Sequence, residues 1–229
     1  MRVVSLHPDV ILLTSQVWQT NCTVVRAGEE SFVIDSPVLP QELQALPAVL
    51  EQAGIEGGAG GRRPPSRAHR HSQSRLGGLL ATHGDWDHLL GRLAFPGASL
   101  GCAETTVARL AAAPGEPQRE LRAFDEQYYL DRPHPLALGQ LQALPVPGRL
   151  QIGAHELELH PAEGHTVDGM GLWAPWTGVL VAGDYLSAIE VPFFGEGHGT
   201  LEAYRATLER LAPLVQQAEH IVPGHGPVL

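Results

Sequence analysis

Four times in this chain a short apolar run ends in a loop that carries His or Asp. The segments are "LLATHGDWDH" at 79–88, "LELHPAEGHT" at 157–166, "VLVAGDYL" at 179–186 and "HIVPGHG" at 220–226. Short apolar runs bounded by turn residues read as buried strands. Side chains just past a strand end are held by the sheet while staying open to solvent. Any fold for this chain therefore has to bring strand ends from both halves together, so that polar residues distant in sequence can converge.

The remaining pattern is compatible with that demand. "VVSLHPDVILLTSQ", "TNCTVVRAG" and "SFVIDSP" are β-branched and apolar, and read as strands, with a hairpin-type turn at Gly28. "QELQALPAVLEQAG" reads as a helix closed by Gly54, which Pro47 is expected to bend or interrupt. "DHLLGRLAF" is expected to start a helix and "ASLGCA" to form a strand, while "ETTVARLAAA" and "PQRELRAFDEQYYL" read as helices separated by "PGEP". Residues 131–147 are proline-rich and expected to be irregular. Two pairs of strands follow, then a helix over 201–215 behind Thr200 as N-cap, then a final short strand. Strands carrying helices between and after them in each half predict a layered α/β arrangement, sheets inside and helices outside. A length of 229 residues suits one sizeable core, so a single domain over 1–229 is expected.

One stretch breaks the pattern. Residues 54–78 consist mainly of Gly, Pro, Ser, Arg and His, with little to bury, and read as a flexible insertion. It holds five Arg and one Glu, about +4, within a chain of net charge −10, so the rest carries −14. His69 and His71 lie in it and read as part of a solvated basic loop. The acidic balance argues against a nucleic-acid-binding surface. The 15 basic residues are all Arg, which excludes a Schiff-base lysine and a phosphate-loop lysine. Cys22 and Cys102 are far apart and read as small core residues. No apolar run reaches the length of a membrane span, and no signal peptide is read at the N-terminus, so the expected address is cytoplasmic.

The first loop carries the densest chemistry. His83 and Asp85 are two residues apart and point the same way in extended chain. Asp87 and His88 follow at the expected first turn of a helix, where an Asp is favoured. The loop thus offers two pairs of ligands to two nearby cations, and His165, Asp184 and His225 would complete the set. Imidazole with carboxylate suits zinc, iron or manganese.

At these residues the chain resembles the metallo-β-lactamase fold hydrolases. The family pattern is His-x-His-x-Asp-His after a strand, then a distant His, Asp and His. This chain has His83-Gly-Asp85-Trp-Asp87-His88, then "EGHT" with His165, "AGDY" with Asp184 and "PGHG" with His225. The opening hairpin is also similar, and the resemblance runs from about residue 10 to the C-terminus, apart from the insertion. It implies a four-layer αβ/βα sandwich with two divalent metal ions, zinc in most members, at the sheet edges. His83, Asp85 and His165 would form one metal site, Asp87, His88 and His225 the other, and Asp184 would bridge. Asp85 stands where the family has its second His. With two divalent ions, three Asp and a bridging hydroxide the site is formally neutral, where a second His would leave +1. That makes a bound water less acidic and favours harder cations such as iron or manganese.

The implied activity is hydrolysis of a small ester, thioester, lactone or amide by a metal-bound hydroxide, with the pKa of water brought from 15.7 toward roughly 7. Asp87 would orient the nucleophile and shuttle its proton. Trp86, Tyr185, Phe193 and Phe194 are placed as possible walls of a small-molecule pocket; Trp86 reads equally as a packing residue, and Tyr185 reads first as structural and second as an oxyanion donor. His160 and His198 read as non-ligands, Trp173 and Trp176 as structural. Two alternatives stay open: a mononuclear iron oxygenase of the persulfide dioxygenase type, and a non-catalytic metal-binding member of the fold.

Overall fold

The computed structural model describes residues 1–56, 74–192, 194 and 198–229. The opening segments pair as successive antiparallel hairpins: β1 (Arg2–His7), β2 (Val10–Thr14), β3 (Asn21–Ala27) and β4 (Glu30–Ile34). The first apolar stretch is therefore two strands, because the chain turns at Pro8 and Asp9. After α1 (Pro40–Gln52) the connections become parallel, through β5 (Ile55–Glu56), β6 (Ser74–Leu80), β7 (Leu100–Ala103) and β8 (Leu141–Leu144). The resulting mixed sheet has eight strands in the order β1-β2-β3-β4-β6-β7-β8, with β5 on β6.

The second half builds a five-stranded sheet. Its order is β13 (His220–Pro223), β12 (Val179–Gly183), β11 (Met170–Ala174), β10 (His155–Pro161) and β9 (Gly148–Ile152), with β12 and β13 parallel. Alternation along the strands sorts the apolar residues into layers. Leu12, Ile34 and Leu80 of the first sheet pack with Leu157, Leu159, Leu172 and Val181 of the second in one inner core. Leu13, Val33 and Leu79, one residue out of step, face outward onto Leu46 and Leu50 of α1 and Leu110 of α3 (Glu104–Ala112). On the far side Trp173, Leu180 and Ala182 pack on Leu211 and Leu214 of α5 (Leu201–Val215). The architecture is thus helices, sheet, sheet, helix: the expected αβ/βα sandwich.

Several local expectations change. Pro47 lies inside α1 without ending it, because the buried stripe Leu43, Leu46 and Leu50 holds the helix to the sheet on both sides of the missing N–H. The 131–147 segment contains β8, which adds in parallel to β7 despite the prolines around it. "DHLLGRLAF" forms only a 3₁₀ turn at Trp86–His88 and one short helix, α2 (Gly91–Ala94), so Asp87 sits within a tight turn and not at a long helix's N-terminus. The two ends of the 54–78 segment are strand, with Ile55 and Ser74 buried; its residues 57–73, which include His69 and His71, lie outside the described residues. α4 (Glu116–Tyr128) forms as expected, and Thr200 caps α5, its hydroxyl accepting from the Ala203 N–H at 3.2 Å. Both cysteines are buried and unpaired. Among the described residues no helix is long and apolar enough to cross a membrane.

Candidate metal centre

The four His/Asp loops meet where the ends of the two sheets adjoin. β6 delivers the loop with His83, Asp85, Asp87 and His88; the turn after β10 delivers His165; β12 delivers Asp184; β13 delivers His225. The last is clasped to the first sheet: the Asn21 amide donates to the carbonyls of Pro223 and Gly226 at 2.9 Å, and the Asn21 N–H donates to Gly224 O at 2.7 Å. Gly224 is required there, since a Cβ would overlap Asp184 Oδ1.

All four histidines turn Nε2 toward Asp184. The distances to its carboxylate are 3.5 Å from His83, 3.3 Å from His88, 3.2 Å from His165 and 3.5 Å from His225. Asp85 Oδ2 lies 3.4 Å from His83 Nε2 and 3.5 Å from His165 Nε2. Asp87 Oδ2 lies 3.6 Å from His88 Nε2 and 3.3 Å from His225 Nε2. The donor atoms fall into compact groups, among them His83/Asp85/His165, Asp87/His88/His225 and His83/His88/Asp184, each within 4.8 Å. Most of these separations are long for hydrogen bonds. They are close to the edge of a tetrahedron around an ion with N and O bonds of 2.0–2.1 Å, about 3.3–3.4 Å. His83 Nε2, His88 Nε2 and Asp184 Oδ1 are buried and make no hydrogen bond, which is costly unless such atoms have another partner. The residues therefore fit a pair of divalent ions.

The opposite ring nitrogens of His83 and His225 have hydrogen-bond partners, while those of His88 and His165 lie near carboxylates without a hydrogen bond. His83 Nδ1 is 3.1 Å from Thr82 Oγ1, and His225 Nδ1 is 3.2 Å from both Thr20 Oγ1 and the Trp18 carbonyl. His88 Nδ1 lies 3.0 Å from Asp35 Oδ2. Asp35 is itself fixed, accepting from the Thr82 N–H at 2.8 Å and the Thr82 hydroxyl at 2.9 Å. His165 Nδ1 is 3.8 Å from Glu190 Oε1. Such outer partners set the tautomer and aim of a ligating imidazole.

Without a metal the cluster balances itself. Burial opposes ionisation of Asp184, yet the neighbouring charges of His88 and His83 hold it well below the usual carboxylate range. Burial likewise opposes Asp85, which His83, His165 and Arg109 hold well down. Burial acts against protonation of His165 and His225, but the close carboxylates of Asp184 and of Asp85 or Asp87 push both up to about 10. Burial and the Asp184 charge push Glu190 up to about 7.

The expected pocket residues fare differently. Trp86 packs at 4.8 Å from Phe124 and 5.7 Å from Trp18, and Trp18 lies 6.4 Å from the His225 ring, so an aromatic wall flanks the cluster. Tyr185 is not an open oxyanion donor: it is buried, and its hydroxyl accepts from the His165 N–H at 2.9 Å and donates to Ala162 O at 3.2 Å. It braces the His165 loop. Phe194 packs edge-on against Tyr204 of α5, and Phe193 lies outside the described residues. His160 pairs with Glu158 at 3.4 Å and His198 is exposed; neither joins the cluster. Trp173 is core, and Trp176 stacks on His155.

Sequence reasoning missed Asp35, Arg109, Asp168 and Glu190. Asp35 follows the apolar strand "SFVI" and carried the same signature as the four loops. Nothing local marked Arg109 or Asp168, whose role arises from a contact 59 residues apart in sequence.

The family model described as "Metallo-beta-lactamase superfamily" matches residues 15–225. No curated protein matches the chain. Among solved structures it is similar to a metallo-beta-lactamase from Pontibacter korlensis, with TM-score 0.68 and 17% identity, over 99% of this chain and 92% of that one. It is similar to TTHA1623 in a di-iron-bound form, with TM-score 0.67 and 22% identity, over 95% and 93%. It is also similar to the DIM-1 metallo-beta-lactamase exposed to ceftazidime, with TM-score 0.66 and 17% identity, over 99% and 90%.

Proposed function

Since the chain belongs to the metallo-β-lactamase superfamily, whose members are typically metal-dependent hydrolases, we propose that it is a dinuclear hydrolase of small esters, thioesters, lactones or amides. The observation that carries this reading is the convergence of four imidazole Nε2 atoms and three carboxylates on one point, at separations of 3.2 to 3.6 Å. His83, Asp85 and His165 would hold one ion, Asp87, His88 and His225 the other, with Asp184 shared. Bound divalent ions would lower the pKa of a water and polarise the attacked carbonyl.

The chain's own groups do the rest. Asp87, pinned between His88 and His225, orients the nucleophile and takes its proton at the carboxylate. The wall of Trp18, Trp86 and Phe124 favours a substrate with an apolar group on the His225 side. For the metal, zinc is the family's usual choice, while the carboxylate of Asp85 and the similarity to a protein in a di-iron-bound form support iron as the second reading.

The test is elemental analysis of chelator-free protein and of Asp85→Ala, followed by hydrolysis of a panel of the four substrate classes. Two ions per chain, falling toward one in the variant, and turnover of at least one class are expected. One iron per chain, unaffected by the variant, with oxygen uptake in place of hydrolysis, would overturn the dinuclear hydrolase.

A further inference from the structure

Among the described residues, Asp85 is the one cluster carboxylate with an arginine on its outer oxygen. Arg109, on α3, reaches across so that Nη2 lies 2.7 Å from Asp85 Oδ1, while Nη1 donates to Asp168 Oδ1 at 2.8 Å. Asp168 is fully buried, and its second oxygen, Oδ2, accepts from the Gly84 N–H at 2.9 Å. Gly84 lies between His83 and Asp85. The contacts close a ring: the Gly84 backbone, Asp168, Arg109, Asp85 and back along the same loop.

We propose that Arg109 is a positioning residue, locked from behind by Asp168, that fixes the Asp85 carboxylate so that Oδ2 alone is presented to His83 and His165. The inference rests on the reading of Asp85 as a ligand. Its physical reason is the chemistry of the side chain at this place. A carboxylate has two equivalent oxygens on a short stem and can swing, chelate through both, or turn to solvent. Arg109 occupies Oδ1, which leaves Oδ2 at 3.4 Å from His83 Nε2 and 3.5 Å from His165 Nε2. A guanidinium suits the task because its fork is planar and rigid, so anchoring one nitrogen on Asp168 sets the direction of the other. It also offsets the negative charge that Asp85 adds to a loop already holding Asp87, with Asp168 beneath. Removing Arg109 alone would strand Asp168 as a buried, unpaired charge and destabilise the fold for reasons unrelated to metal. The informative change therefore removes both charges at once.

The experiment measures stepwise zinc affinity by competition with a chromophoric chelator on the full chain. It compares wild type, Asp85→Ala, the double variant Arg109→Met/Asp168→Asn, and Arg109→Lys, with the melting of each metal-free form recorded alongside. The double variant should weaken one of the two zinc ions by about 10- to 100-fold, the same ion that Asp85→Ala loses, and leave the other unchanged. Arg109→Lys should fold and recover only part of the affinity, since an ammonium cannot span both carboxylates as the fork does. If Asp85→Ala loses an ion while the double variant binds both as wild type does, the positioning role is wrong and the ligand reading stands. If Asp85→Ala binds both ions unchanged, the ligand reading fails and takes this inference with it. Equal weakening of both ions would mean a general structural role and also overturn it. Should the double variant not fold, Arg109→Lys decides: weakening of that same ion supports the clamp, unchanged affinities refute it.

Discussion

Asp35 should set how tightly His88 can hold a metal. Its carboxylate accepts twice from Thr82 and lies 3.0 Å from His88 Nδ1 without a hydrogen bond to it, so its charge favours a proton on Nδ1 and leaves the Nε2 lone pair facing Asp87 and Asp184. In Asp35→Asn the amide oxygen has to stay on the Thr82 N–H, since flipping it would set two donors against each other. The new NH₂ then faces Nδ1, which must accept, and the ring proton moves to Nε2. The structural cost is small: one close charged contact becomes neutral, about 1 kcal/mol. The cost in metal affinity should be about 10- to 100-fold, or roughly 1.4–2.8 kcal/mol. Asp35→Ala behaves differently. It leaves the buried Thr82 N–H and hydroxyl without their acceptor, about 1–3 kcal/mol each. It also puts Ala at φ +57°, a left-handed value that Asp and Asn tolerate, at a further 1–2 kcal/mol or so. The total is a large part of the roughly 5–15 kcal/mol that holds a domain folded. Urea unfolding of metal-free protein and zinc competition separate the two effects. Wild-type zinc affinity in Asp35→Asn would refute the tautomer argument.

Three further outcomes follow from the geometry. Glu42 is buried, which opposes its ionisation, but bonds from the Ser15 hydroxyl and the Gln16 and Leu39 N–H groups hold its pKa below the ordinary value. Its contribution is present above the unfolded pKa near 4.3 and lost as pH falls through the folded value, so Glu42→Gln should cost about 1–3 kcal/mol at pH 7 and progressively less below about pH 4 in urea titrations. In the metal-free protein the protonated forms of His165 and His225, with pKa values pushed up to about 10, stabilise the fold fully below about pH 6.5 and lose that effect as pH rises through 10. Chelator-treated protein should therefore melt at falling temperature from pH 7 to 10, whereas a flat or rising trend would contradict the assigned His–Asp contacts. Finally, Gly164 has φ +129°, and a Cβ there would overlap the backbone of Tyr204, so Gly164→Ala should push α5 off the His165 loop at a cost of 3 kcal/mol or more, read as a lowered melting point.

The candidate ligand set was legible in the sequence because each member sits in a loop that follows a strand, where apolar pattern and polar loop abut and the residue types point to the chemistry. His83, Asp85, Asp87, His88, His165, Asp184 and His225 all lie within one cluster. The layered α/β architecture followed from the order of apolar runs for the same reason: strand and helix periodicities are local properties. What local pattern could not reveal was partnership. β8 hides among prolines because its strand character comes from pairing with β7, and α1 passes through Pro47 because the sheet beneath holds it. Tyr185 next to Asp184 read as structural or as a pocket group, and only the fold turns its hydroxyl to the His165 backbone. Arg109 looked like any helix-face arginine until the crossover of the chain laid α3 beside residues 84, 85 and 168. The sequence by itself determined which side chains can do chemistry, since that depends on residue type and position at a strand end. Only the tertiary structure decided which groups orient and charge-balance them, because those contacts join segments tens to hundreds of residues apart and exist only once both sheets are packed.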